Sequence, residues 1–84
     1  MAAFEVVSVR TDPLGLSARE AEILELMAQG LSNSGIATSL CVSAKTIEHY
    51  VARIFTKLAI ADSPEVNRRV QAVLRYLVAV SIAA

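Results

Sequence analysis

The sequence predicts an all-α domain of four helices, and three observations carry that prediction. Between Leu16 and Ile60, three apolar patterns recur at intervals of three and four residues, the spacing of one helix face. Two short breaks, near Gly30–Asn33 and Cys41–Ser43, separate them. A fourth apolar pattern follows the helix-start signal Asp62-Ser63-Pro64-Glu65. The 84 residues suffice for one domain. We place it at residues 15–84, with residues 1–14 as a flexible tail or linker. In that tail Pro13 blocks helix entry, and the loose alternation of Phe4, Val6, Val7 and Val9 also allows a short edge strand.

The first helix starts at Ser17, where Ser17-Ala18-Arg19-Glu20 forms a capping box. The serine oxygen takes the Glu20 N–H, and the glutamate reaches back to the Ser17 N–H. Leu16 precedes it as a staple, and Ile23, Leu24, Met27 and Ala28 make the core face. Gly30 ends the helix, because glycine takes the left-handed terminal position at least cost, and Leu31 folds back onto the last turn. The second helix starts at Ser32 or Asn33 and runs to about Leu40, burying Ile36, Ala37 and Leu40. Gly35 stands where a glutamate would complete a second capping box, and glycine in a helix costs about 1 kcal/mol relative to alanine. Cys41, between Leu40 and Val42, reads as a small buried hydrophobe rather than a reactive thiol. The fourth helix runs from Pro64 to about Val80 with Val66, Val70, Val73, Leu74 and Leu77 as its stripe, and Tyr76, Val78 and Val80 widen its apolar surface.

The third helix carries the chemistry. Ser43 is its N-cap, and Ile47, Val51, Ile54, Phe55 and Leu58 form an apolar back. Lys45, Glu48, His49, Ala52 and Thr56 fall on the opposite side at spacings of three and four. A helix with a greasy back and a hydrogen-bonding front, preceded by a short helix and a tight turn, is the layout of a helix-turn-helix. Such a helix fits the major groove of B-DNA. The formal net charge is +0, but its distribution is uneven. Lys45, Arg53 and Lys57 oppose Glu48 alone between residues 43 and 58, whereas Glu20, Glu22 and Glu25 outnumber Arg19 in the first helix. Local charge is what phosphates feel. Lys45 and Arg53 can hold phosphates or guanine edges, and Ser43 and Thr46 can donate to a phosphate at the helix N-terminus. His49 can bond a base edge or a phosphate, Glu48 can accept from cytosine N4, and Tyr50 is placed to buttress the turn. The bland alternative is a solvated helix face, with Glu48 paired to Lys45 one turn earlier.

The stretch from Leu16 to about Ile60 resembles the LuxR/FixJ/NarL family of bacterial transcription-regulator domains. The resemblance rests on five pieces in unbroken order: Leu16-Ser17-Ala18-Arg19-Glu20, Ala28-Gln29-Gly30-Leu31-Ser32-Asn33, Ile36-Ala37, Val42-Ser43-Ala44-Lys45-Thr46-Ile47 and Ile54-Phe55-Thr56-Lys57-Leu58. It implies a four-helix domain whose third helix enters the major groove of double-stranded DNA. It also implies homodimers through the fourth helix, here Val70, Val73, Leu74 and Leu77, on direct or inverted half-sites. RNA polymerase is a further partner expected of such a regulator. By position, Lys45 and Thr46 match the family's backbone-contacting pair, Glu48, His49 and Ala52 the base-facing positions, and Arg53 and Lys57 common phosphate contacts. Several family members place lysines where this chain has Glu48 or Ala52. Gly35 stands where glutamate is usual, and Ala59 where glycine is usual after the third helix.

Other functions fit less well. The hydrophobic fraction of 55% exceeds the usual ~45–50%, which leaves apolar surface for a partner. The competing reading is therefore a protein-interaction module on the same scaffold. An enzyme is disfavoured, because the single histidine, His49, and the single cysteine, Cys41, lie on different elements. No metal-ligand cluster is visible, and no cofactor is expected. The apolar stretch from Tyr76 to Ala84 is far shorter than the ~20 residues of a membrane span. Glu5 interrupts any signal-peptide pattern, and one cysteine allows no internal disulfide, so the expected location is cytoplasmic.

Overall fold

A computed structural model of the protein describes residues 14–83. Four helices follow in chain order: α1 (Ala18–Ala28), α2 (Asn33–Leu40), α3 (Ala44–Lys57) and α4 (Arg68–Ala83). α2 and α3 form the helix-turn-helix, α1 packs across both, and α4 lies chiefly against α1. The expected tail and its edge-strand alternative lie outside the described residues except for Leu14, which is half-buried against the core.

Each of the first three helices starts on a serine that does the same job. The Ser17, Ser32 and Ser43 hydroxyls accept the backbone N–H of Glu20, Gly35 and Thr46, each at 3.1 Å. Each satisfies one of the orphan donors of a helix start. Only α1 has the full box, with the Ser17 N–H donating to Glu20 Oε1 at 2.8 Å. At Gly35 an added Cβ would meet Leu31 and Ser32 side-chain atoms at 3.5–3.6 Å, ordinary contact, so the backbone there has room for a Cβ.

The three helix ends also share one form. Behind α1, Gly30 has φ +95°, the Leu31 N–H donates to the Leu26 carbonyl and the Gly30 N–H to that of Met27. Behind α2, Val42 and Cys41 repeat this to Ala37 and Thr38, and behind α3, Ile60 and Ala59 repeat it to Phe55 and Thr56. This is the Schellman closure, which turns the chain sharply through one left-handed residue. In α2 that residue is Cys41 (φ 59°) and in α3 it is Ala59 (φ 55°). The left-handed turn points the Cys41 side chain outward, so the thiol is exposed and not the buried hydrophobe its apolar neighbours imply.

The inward faces meet in one core. Ile23 and Leu24 of α1, Ile36 of α2, and Ile47 and Ile54 of α3 are fully buried, with Leu16, Met27, Ala37, Val51, Leu58 and Ile60 around them. Each such aliphatic side chain contributes about 1.5–3 kcal/mol on burial. Leu40 and Phe55, expected in the core, are half-buried at its edge.

The fourth helix differs from expectation in its start and in its phase. Pro64 and Glu65 form a turn, and the helix begins at Arg68. Asn67 takes the capping role, accepting the Val70 N–H at 3.1 Å. The helix then runs to Ala83 rather than Val80. Its core contact is Ala72, fully buried, flanked by the half-buried Val73 and Tyr76. Val70, Leu74 and Leu77, three of the five residues of the expected stripe, are each 49% exposed. A small alanine lets α4 approach α1 closely, and that choice rotates the larger residues outward.

Alanine in the left-handed region carries a backbone penalty of about 1–2 kcal/mol. Ala59→Gly is therefore expected to stabilise the domain by about 0.5–1 kcal/mol, after allowance for the greater freedom of glycine in the unfolded chain. Thermal or urea melting checks this, and a lower midpoint would mean that the turn after α3 is not under that strain.

Candidate nucleic-acid interface

The outward face of α3 is built from its cap. Ser43 has extended backbone (φ −78°, ψ 155°), and its hydroxyl also lies 2.9 Å from that of Thr46. The two hydroxyls thus sit together at the helix N-terminus, where unpaired N–H groups and the helix dipole favour an anion. Lys45, Glu48, His49, Ala52 and Arg53 are all exposed on the following three turns. Lys45 and Glu48 approach to 4.0 Å with both side chains mostly in water, a contact worth little. Arg53 lies over the half-buried Tyr50 ring, 5.8 Å from its centroid. Tyr50 thereby buttresses the arginine as well as the core edge. The Thr56 hydroxyl donates back to the Ala52 carbonyl at 3.1 Å.

Lys57 stands apart from the other cations. Its ammonium donates to Glu20 Oε1 at 2.8 Å, and the lysine side chain is 39% exposed while that of Glu20 is 1% exposed. Burial alone would raise the Glu20 pKa. Hydrogen bonds from Lys57 and from the Ser17 N–H, with the charge of Lys57, outweigh burial and hold the carboxyl below its ordinary value. The pair bolts the C-terminal end of α3 to the first turn of α1. Lys57 is thus committed to the scaffold, unlike Lys45.

Two arginines of α4 make comparable ties. Arg69 donates to the Asn33 side-chain oxygen at 2.8 Å and to the Leu31 carbonyl at 2.7 Å, fixing the start of α2, and burial lowers its pKa. Arg75 donates to the Leu58 carbonyl at the end of α3. Arg68 lies 4.9 Å over the Phe55 ring and 3.8 Å from Asp62. The helix-turn-helix is therefore clamped at the start of α2 and at the end of α3. Among the described residues, no group of three or more histidine, cysteine, aspartate or glutamate side chains could hold a metal ion. No helix among them is long and apolar enough to cross a membrane.

The family model for bacterial regulatory proteins of the luxR family matches residues 14–76. The chain belongs to the LuxR family. It is 44% identical over 54 residues to the transcriptional regulatory protein FixJ of Azorhizobium caulinodans, covering 64% of this chain and 26% of that protein. It is 50% identical over 56 residues to the oxygen regulatory protein NreC of Staphylococcus aureus, covering 66% of this chain and 26% of that protein. The chain thus spans about a quarter of the length of these relatives. No solved structure matches it. Membership makes this a DNA-binding domain of transcription regulation and not an enzyme.

Within that LuxR-family frame, the structure brings Ser43, Lys45, Thr46, Glu48, His49, Ala52 and Arg53 onto one accessible surface and sets Lys57 at its edge in an ion pair. Sequence reasoning identified Glu20 as a cap but missed it as the anchor of Lys57. It also missed Arg69 and Arg75. The only local signal for Glu20 was a first-turn carboxylate with Leu16, Ile23 and Leu24 at helical spacing around it, and no spacing rule reveals a partner 37 residues away.

The depressed Glu20 pKa has a defined sign. Its stabilisation is complete above the unfolded carboxyl value of 4.5 and fades as pH falls through the lower folded value. Glu20→Gln is expected to lose about 1–2 kcal/mol at pH 7, because Lys57 keeps access to water and is not stranded. The gap to wild type should close in acid. Melting curves from pH 7 to pH 3 check this, and a gap constant across that range would show that the Glu20 charge does not contribute.

Proposed function

We propose that this domain reads double-stranded DNA by laying the Lys45–Thr56 face of α3 into the major groove, as the output part of a larger cytoplasmic regulator. The observation that carries the reading is that face: exposed polar side chains backed by the buried Ile47, Val51 and Ile54, with a free helix N-terminus at one end. Ser43, Lys45, Thr46 and Arg53 position the domain on phosphates, and Glu48, His49 and Ala52 meet base edges. Lys57 acts through Glu20 by holding the angle of α3. RNA polymerase is the further partner expected of such a regulator, and no residue here is assigned to it.

One domain of this size offers a small interface, so useful affinity requires two half-sites. The proposed dimer forms through α4. Val70, Leu74, Leu77 and Val78 fall at i, i+4, i+7 and i+8, and each is about half exposed or more. Val73 is half-buried against its own core and stands at the edge of that surface. Arg68, Arg69 and Arg75 are drawn to partners within their own domain. Two copies of α4 can therefore meet without opposing arginines.

Binding to a random duplex pool should fall steeply with salt. Lys45→Ala is expected to weaken binding to all sequences alike and to reduce the log–log salt slope by about 1. An unchanged slope in a shift assay removes Lys45 from the phosphate contacts. Leu74→Glu, at an exposed position, should keep the fold and single half-site binding while losing roughly tenfold or more on paired half-sites. Equal cooperativity in the variant would move the dimer contact away from α4.

A further inference from the structure

The centre of the α3 face has an unusual composition once the side chains assigned to phosphates and those tied to the scaffold are set aside. The Ser43 and Thr46 hydroxyls bond to each other, and that of Thr56 turns back to the Ala52 carbonyl. Arg53 lies over Tyr50, and Lys57 is held by Glu20. What remains in the middle of the face is an acceptor, Glu48, an imidazole, His49, and a bare methyl, Ala52, all exposed. No long cation occupies the centre.

We infer that Glu48 and Ala52 set the base preference of this domain, Glu48 for a cytosine and Ala52 for a thymine about two base pairs away. The inference rests on the proposal that α3 enters the major groove. Glu48 is repelled by phosphates, so in the groove it is stabilised only at the floor, where amino groups are displayed. Cytosine N4 and adenine N6 are the two amino donors there. Adenine places the N7 acceptor beside its amino group, which repels the second carboxylate oxygen. Cytosine presents no neighbouring acceptor, so it is the better partner. Lys45, one turn earlier, is assigned to the phosphates, and its charge there lowers the repulsion that Glu48 meets from them.

Ala52 carries only a methyl group, and the one apolar group on the major-groove floor is the thymine C5-methyl. Residues four apart on a helix have Cβ atoms about 6 Å apart. Successive base pairs rise by about 3.4 Å. The two contacts therefore fall about two base pairs from each other. His49, which both donates and accepts, fits either kind of edge and sets no comparable preference.

The test is selection of binding sites from a random duplex pool with the whole chain, and with Glu48→Gln and Ala52→Gln, at one fixed salt concentration. Both positions are exposed, so neither change disturbs the core. The wild-type motif is expected to hold a cytosine and a thymine about two base pairs apart. Glu48→Gln should lose roughly fivefold or more of the preference for that cytosine. Replacing that thymine by uracil, which lacks the methyl, should weaken wild-type binding about fourfold and leave Ala52→Gln unaffected. A motif that neither the Glu48 change nor the uracil alters overturns the inference and leaves the groove reading standing. No motif with any of the three proteins overturns both.

Discussion

The interaction on which the rest of the domain depends is the junction of Ser17, Glu20 and Lys57. One carboxylate closes the N-terminal box of α1 and receives the last side chain of α3. Among the described residues it is the only charged group whose side chain is fully buried. A buried carboxylate left alone is costly, and its two donors come from different helices. Any rotation of α3 away from α1 strips Glu20 of its cation partner. The junction therefore acts on orientation more than on net stability, because desolvation offsets much of the attraction. For a helix proposed to meet base edges with its exposed face, orientation is the property that matters.

The helix ends supply the second constraint. Three Schellman closures in succession, at Gly30, Cys41 and Ala59, turn the chain through single left-handed residues, so each following element starts at a set angle. Glycine occupies only the first. At Cys41 and Ala59 the closure is kept by packing, since Val42 and Ile60, the residues that follow, turn back into the core. Burial of such side chains outweighs a strain of about 1–2 kcal/mol per site. The fold thus tolerates the departure at Ala59 without altering the turn.

The pattern of what was legible follows from the range of each interaction. Serine caps, the glycine stop after α1 and the two faces of α3 depend on residues within four positions of each other, and spacing alone displays them. So the exposed face from Lys45 to Arg53 stands where the sequence places it. The ties of Lys57 to Glu20 and of Arg69 to Asn33 span 37 and 36 positions, and surface cations of one kind look alike in sequence. Cys41 was misread because apolar neighbours say nothing about the direction of a side chain at φ 59°. The phase of α4 was misread for a different reason. Valines and leucines surround that helix, so periodicity does not mark the buried side, and the small Ala72 that makes the contact is the weakest signal on it.

That choice of a small residue links the core to the outer surface of α4. Had Leu74 or Leu77 faced α1, the helix would stand farther off, and Arg69 and Arg75 would lose their reach to Leu31, Asn33 and Leu58. With Ala72 inward, α4 sits close and its arginines clamp both ends of the helix-turn-helix. The large aliphatic residues are left outside as a consequence. The same close approach therefore ties α4 to both ends of the helix-turn-helix and exposes an uncharged strip of Val70, Leu74, Leu77 and Val78. A formal net charge of zero fits this division. The cations of α4 are spent on internal ties, and the α3 face carries a few separated charges rather than a broad positive field.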